Sequence, residues 1–220
     1  MMRYYPVCLD IRNRACLVVG GGQVGTRKVT TLLLCGARVT LVSPEAGEEL
    51  TELARAGTIQ WHARNYESGD QAGAFLVIGA TDQEALNRRI HADAEKDGRL
   101  CNIADQPKLC NFVLPSIVQQ GDLMIAISTG GQSPAFAKYL RRQMQRQFGP
   151  EYAHLLKLMG AVRKHLLQQA HAPEEHKPIF ERLIAKGLLE LIRRDDRATI
   201  NALLAEVVGP DVSLETLRTR

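Results

Sequence analysis

The residues best suited to chemistry in this sequence are glycines, hydroxyls, carboxylates and a run of cations, and their spacing says what each group can do. Gly20-Gly21-Gly22-Gln23-Val24-Gly25 carries glycines at the G-x-G-x-x-G spacing of a dinucleotide-binding turn. Gly20 permits the tight turn, Gly22 admits a pyrophosphate against the backbone, and Gly25 lets the following helix sit close to the strand. N–H groups left free at a helix start, here those of Gln23 and Val24, attract phosphate. The position where an Asp or Glu ordinarily holds a ribose is occupied by Ser43-Pro44-Glu45. Ser43 is a neutral donor and acceptor, and Glu45 can reach a ribose from a helix start. No Arg follows Ser43 closely to hold a 2′-phosphate, which favours NAD without excluding NADP. Thr81-Asp82 serves as a helix cap, as a cofactor wall, or as both.

These groups need elements to position them. Ala15–Val19 is apolar without alternation, the mark of a buried parallel strand, and it runs straight into the glycine turn. A helix is expected over 26–34, stopped by Gly36, and a strand over 38–42. Ser43-Pro44 then reads as an N-cap with proline at the first helical position, opening a helix that ends near Gly57. A weak strand at 58–61, a strong one at 75–80, a helix capped by Thr81-Asp82 and reaching about Lys96, and a strand at 100–103 follow. Strands alternating with helices specify an α/β fold with a doubly wound parallel sheet over 1–112. Strands at 112–118 and 123–127 lie too close for a crossover helix and form a hairpin. Ser133-Pro134 caps a helix to about Phe148, so 113–149 is a separate small segment. From 150 to 220 the apolar spacing is helical, interrupted near Ala172-Pro173 and at Gly209-Pro210.

Composition limits the function classes. The chain of 220 residues is 45% hydrophobic and 24% charged with a net charge of +4. No apolar run approaches the roughly 20 residues that span a bilayer, and no signal-peptide layout opens the chain, so a cytoplasmic protein with no membrane partner is expected. The five cysteines form no CxxC pair and are expected as buried free thiols. The six histidines show no zinc-type spacing, and no resident metal is expected. Between Lys138 and Gln168 seven Lys or Arg face one acid, Glu151. This cluster, with Lys138, Arg141 and Arg142 at its start, suits nucleic acid or a small polycarboxylate, or is a solvated helix face.

The segment Cys101-Asn102-Ile103-Ala104-Asp105-Gln106-Pro107, followed by Asn111-Phe112 and Pro115, resembles a signature of the sirohaem-synthase dehydrogenase family. Ile127-Ser128-Thr129-Gly130-Gly131-Gln132-Ser133-Pro134 looks like that family's second signature, and Tyr5–Asp10 and the glycine loop also fit. The resemblance runs from about residue 5 to 142; the helical tail shares only general character. It implies oxidation of precorrin-2 to sirohydrochlorin with NAD as hydride acceptor, in sirohaem biosynthesis. It makes Asp105 the catalytic carboxylate, a position that spacing alone reads as a turn former. Asn102, Ser128, Thr129 and Gly130, with Lys138, Arg141 and Arg142, are implied on the substrate side. The family also implies a homodimer formed through the hairpin, and in some relatives insertion of ferrous iron into sirohydrochlorin. No methyltransferase domain is read here, so precorrin-2 is expected from a separate enzyme. Two rivals are a chelatase without dehydrogenase activity and a NAD-sensing DNA-binding regulator. The second lacks a helix-turn-helix pair and leaves the Asp105 segment without a purpose.

Overall fold

The computed structural model describes residues 4–169 and 173–218. The chain divides into two compact units, Met1–Leu114 and Pro115–Arg220.

The first unit is built on a five-stranded parallel sheet. Its strands are β1 (Ala15–Gly21), β2 (Arg38–Ala46), β3 (Gln60–His62), β4 (Leu76–Gly79) and β5 (Leu100–Ile103), in the order β3-β2-β1-β4-β5. Strands buried on both faces carry apolar residues at every position, and alternate side chains divide between two cores. Cys16 and Val18 join Val39 and Leu41 beneath α1 (Gln23–Leu34) and α2 (Glu48–Arg55), whose Val29, Leu32 and Leu50 close that face. Leu17 and Val19 join Val77, Cys101 and Ile103 against Ile90 and Ala94 of α3 (Glu84–Lys96). Helices on both faces make this the expected Rossmann-type architecture. Gly36, at φ 75°, ends α1 as a left-handed residue.

Two caps read from the sequence are corrected. Ser43-Pro44 opens no helix: β2 continues through both residues, and α2 starts five residues later behind Gly47. The cause is an irregular ladder. Val19 pairs with Val42 and Gly21 with Ala46, so Gly20 stands opposite three residues of β2. Pro44 has no N–H to give and falls in that unpaired stretch. Thr81-Asp82 is likewise no cap. Helix α3 begins at Glu84 behind Gln83, without any side-chain cap, because Thr81 is engaged elsewhere.

In the second unit β6 (Ser116–Gln120) and β7 (Leu123–Ile127) form an antiparallel hairpin. Pairing starts at Ser116 and not at Phe112, since Pro115 cannot donate to a ladder. Gly121 turns the chain at φ 57°. Helix α4 (Pro134–Gln147) starts as expected, with the Ser133 hydroxyl accepting from Phe136 N at 3.2 Å. The helices α5 (Glu151–Gln168), α6 (Pro173–Ala185), α7 (Leu188–Arg193), α8 (Arg197–Val207) and α9 (Leu214–Arg218) follow. They share a core of Val162, Leu166, Leu183, Leu188, Ile200 and Leu204. The break near Ala172-Pro173 touches residues 170–172, which lie outside those described. The Gly209-Pro210 break is present, and left-handed Gly187 and Asp195 add two breaks that the spacing does not show. Of the five thiols Cys16 and Cys101 are buried and Cys110 half-buried, whereas Cys8 and Cys35 are exposed, against expectation.

Candidate active site

A cleft of about 1330 Å³ opens along the carboxyl ends of β1, β2, β4 and β5. The chain leaves β1 toward β2 on one side and returns to β4 on the other, which is where open α/β sheets place their ligands. Gly20, Gly22, Gln23, Val24, Ser43, Pro44, Glu45, Thr81, Asp82 and Asp105 all line it.

The glycine loop is shaped for close approach. Gly20 sits at φ 111°, and a Cβ there would lie 2.4 Å from the Ala80 carbonyl oxygen. A Cβ on Gly25 would lie 1.9 Å from the Gly20 carbonyl oxygen, so this glycine supports the turn from beneath and does not line the cleft. Around Gly22, by contrast, a Cβ would meet nothing within 4 Å, leaving its outer face open to a ligand. Gly22 is the N-cap of α1 and offers no side-chain acceptor, so the first N–H groups of the helix remain available to phosphate. The residues present therefore fit a dinucleotide.

Ser43 is buried, and its Oγ accepts the Gly21 N–H at 3.0 Å. Its hydroxyl braces the loop, and Glu45, Glu48 and Glu49 are the exposed carboxylates on that side of the cleft. Trp61 Nε1 donates to the Ser43 carbonyl at 2.9 Å. On the opposite side Thr81 Oγ1 pairs with Asn87 Oδ1 at 2.9 Å, and Asn87 Nδ2 returns to the Thr81 carbonyl.

Asp105 is exposed and adopts a left-handed backbone at φ 59°. A non-glycine residue keeps that conformation only where its surroundings fix it. Here they do. Ala104 N donates to the Gly79 carbonyl at 2.8 Å, and Gln106 N to that of Ile103 at 3.3 Å. Cys110 Sγ accepts from Ile103 N at 3.2 Å and lies 3.3 Å from the carbonyls of Ile103 and Gln106. Burial raises the Cys110 thiol above its ordinary range, which keeps it protonated and able to donate. Asn111 completes the clamp. Its Oδ1 accepts from Cys101 N at 2.8 Å, giving the edge strand β5 a partner.

Asn102, implied on the substrate side, is buried and does not line this cleft; its Nδ2 donates to the Phe112 carbonyl at 3.1 Å. The other substrate-side candidates lie in the second unit. Gly130 and Gly131 are left-handed, Ser128 Oγ accepts from Gly130 N at 3.2 Å, and Thr129 Oγ1 bonds to Ser133 N and O. Lys138 and Arg142 are exposed on α4, with Arg141 half-buried, at the i, i+3, i+4 spacing of one helix face. Sequence reasoning missed Gly21, where a Cβ would lie 2.2 Å from the Glu45 carbonyl oxygen. It also missed Arg27, which lines the cleft. The third consecutive glycine was the available signal for Gly21; Arg27 had none.

Residues 7–116 match a family described as putative NAD(P)-binding, and residues 120–147 match the central region of a sirohaem biosynthesis protein. Siroheme synthase 1 of Aeromonas salmonicida is 35% identical over 203 residues, 92% of this chain. The chain belongs to this putative NAD(P)-binding family, with a sirohaem-biosynthesis central region following it. Siroheme synthase 2 of Yersinia enterocolitica is 31% identical over 213 residues, 96% of this chain. The chain spans 43% and 45% of those two relatives, less than half of either. A solved structure, SirC, a precorrin-2 dehydrogenase, is similar to it with a TM-score of 0.74 and 26% identity, covering 82% of this chain and 89% of that one. In this family, then, the GGG turn and the Asp105 segment fall inside the NAD(P)-binding match, while the Ser128–Lys138 segment falls inside the central one.

Proposed function

We propose that this chain is a NAD-dependent precorrin-2 dehydrogenase, converting precorrin-2 to sirohydrochlorin on the way to sirohaem. The observation that carries the reading is an exposed carboxylate, Asp105, held in a clamped left-handed turn on the same cleft as an open glycine loop. Gly20, Gly22 and the first N–H groups of α1 would hold the pyrophosphate, and Glu45 is the carboxylate suited to the ribose. NAD, when bound, supplies the acceptor for the hydride that leaves a C–H bond of the macrocycle with its electron pair. Asp105 accepts the proton lost in the same oxidation, so two hydrogens leave the substrate and no other oxidant is needed. Thr81 and Asp82 wall the cleft between these two functions. Precorrin-2 is a polycarboxylate, and Ser128, Thr129 and Gly130 with Lys138, Arg141 and Arg142 are the groups we assign to its carboxylates.

A carboxylate that accepts macrocycle protons would also suit metal insertion, with ferrous iron as a second substrate. A dimer would form through the exposed outer face of the hairpin, where Ile117 and Met124 stand in water. Free thiols at Cys8 and Cys35 suit the reducing cytoplasm.

The test is anaerobic incubation of the purified chain with precorrin-2 and NAD, without iron. Sirohydrochlorin and NADH are expected in equal amounts, and ferrous iron added afterwards checks insertion against the spontaneous rate. Absence of turnover with both NAD and NADP would overturn the reading.

A further inference from the structure

Asn87 is a polar side chain on a stripe of α3 that is otherwise apolar. It is 2% exposed and shares the buried face of the helix with Ile90 and Ala94. A buried amide is costly unless its polar atoms are paired. Both are, and to a single residue. Nδ2 donates to the Thr81 carbonyl at 2.9 Å, and Oδ1 faces Thr81 Oγ1 at 2.9 Å.

These two bonds fix the place of a proton. A carbonyl oxygen only accepts, so the amide atom against it is Nδ2 and the other is Oδ1. Oδ1 also only accepts, so the Thr81 hydroxyl donates to it. A second acceptor, the Gln83 carbonyl, lies 3.4 Å from Thr81 Oγ1. Donation there would make a longer bond and leave two bare acceptors 2.9 Å apart. With its proton committed, Thr81 Oγ1 has a lone pair left and nothing to donate.

Thr81 is half-buried and lines the cleft. An acceptor-only hydroxyl gains nothing from phosphates, which are themselves acceptors, but it does pair with a ribose hydroxyl. Its position agrees. A Cβ built on Gly20 would lie 3.2 Å from Thr81 N, so Thr81 adjoins the phosphate-binding turn. The first group beyond a pyrophosphate is a ribose. Thr81 follows β4, across the turn from Ser43 and Glu45 on β2, and therefore serves the nucleoside on the Asp105 side, which carries the nicotinamide.

We propose that Asn87 is a positioning residue for the cofactor, taking the Thr81 proton so that Thr81 accepts a hydrogen bond from a hydroxyl of the nicotinamide ribose. The assignment rests on the NAD half of the function proposed above and not on the substrate.

The experiment measures, by calorimetry, the affinity of the chain for NAD and for its analogues lacking the 2′- or the 3′-hydroxyl of the nicotinamide ribose. The unchanged chain is compared with Thr81→Val, Thr81→Ser, Asn87→Ala and Asn87→Leu. The unchanged chain is expected to prefer NAD over one of the analogues by about three- to tenfold, the contribution of one neutral hydrogen bond. Thr81→Ser should keep that preference. Thr81→Val and Asn87→Ala should lose it, binding NAD and the analogue within about twofold of each other, since residues acting through one another are not additive. Asn87→Leu, which fills the space, takes the place of Asn87→Ala where the cavity unfolds the chain. A merely structural role for Asn87 would weaken NAD and the analogue equally, and that result overturns the assignment. So does an unchanged chain that binds both analogues as tightly as NAD, or a Thr81→Val chain that still tells them apart. An intact preference without turnover of precorrin-2 overturns the proposed reaction alone, whereas absence of NAD binding overturns both.

Discussion

At Asp105 the backbone and the side chain want different things. A left-handed conformation costs an L-residue about 1 kcal/mol that glycine would not pay, yet a carboxylate stands there, fixed by Ala104, Gln106 and the Cys110 thiol. Asp105→Gly should therefore leave the melting temperature unchanged or higher while abolishing oxidation. Asp105→Asn should keep the fold and NAD affinity and lower kcat on the order of a hundredfold or more, the usual contribution of a positioned base. Retained activity in both variants would remove Asp105 from the reaction. Ser43 gives the reverse case, a residue whose work is structural. Its hydroxyl is the acceptor for the buried Gly21 N–H, so Ser43→Ala leaves a donor stranded at about 1–3 kcal/mol. A lowered urea midpoint with unchanged slope is the expected result, and an unchanged midpoint would show that the loop has another acceptor.

Among the elements, the one most dependent on a single position is the β1–α1 turn. A Cβ at residue 25 would lie 1.9 Å from the Gly20 carbonyl oxygen, so Gly25→Ala must push α1 off the strand, at about 1–3 kcal/mol of overpacking. NAD affinity should fall at least about tenfold, equivalent to 1.4 kcal/mol, and calorimetry reads it directly; unaltered affinity would mean the phosphates bind elsewhere. This turn was legible because unbroken apolar strands and fixed glycine spacing are local signals. The sheet, the hairpin and the Ser133 cap were legible for the same reason. Ser43-Pro44 was misread because an N-cap and an unpaired bulge in a strand present the same dipeptide, and only the register of β1 against β2 separates them. Thr81 was misread because its partner, Asn87, lies a helical turn and more away. The clamp around Asp105 depends on Cys110 and Asn111 folding back on β5, a contact no periodicity carries; the family resemblance flagged Asn111, and no signal flagged Cys110.

For the molecule as a whole, charge is the property that travels. The excess of cations on α4 and α5 exceeds the net charge of the entire chain, as expected for a surface that meets a polyanion. Neutralising Lys138 and Arg142 together should raise KM for precorrin-2 about five- to thirtyfold, at about 0.5–1 kcal/mol for each of the two exposed contacts, with kcat retained. Added salt should raise KM of the unchanged chain and have less effect on the double variant, because screening removes what the substitutions have already removed. A salt-independent KM would reduce these cations to a solvated helix face. At the same scale one further consequence follows from the bond between Trp61 and the Ser43 carbonyl. The chain holds a single tryptophan, half-buried and one residue removed from the Gly21 brace. Its emission is thus an optical gauge built into the loop: quenching on addition of dinucleotide reports occupancy of the cleft without a label, and Ser43→Ala should blunt that signal.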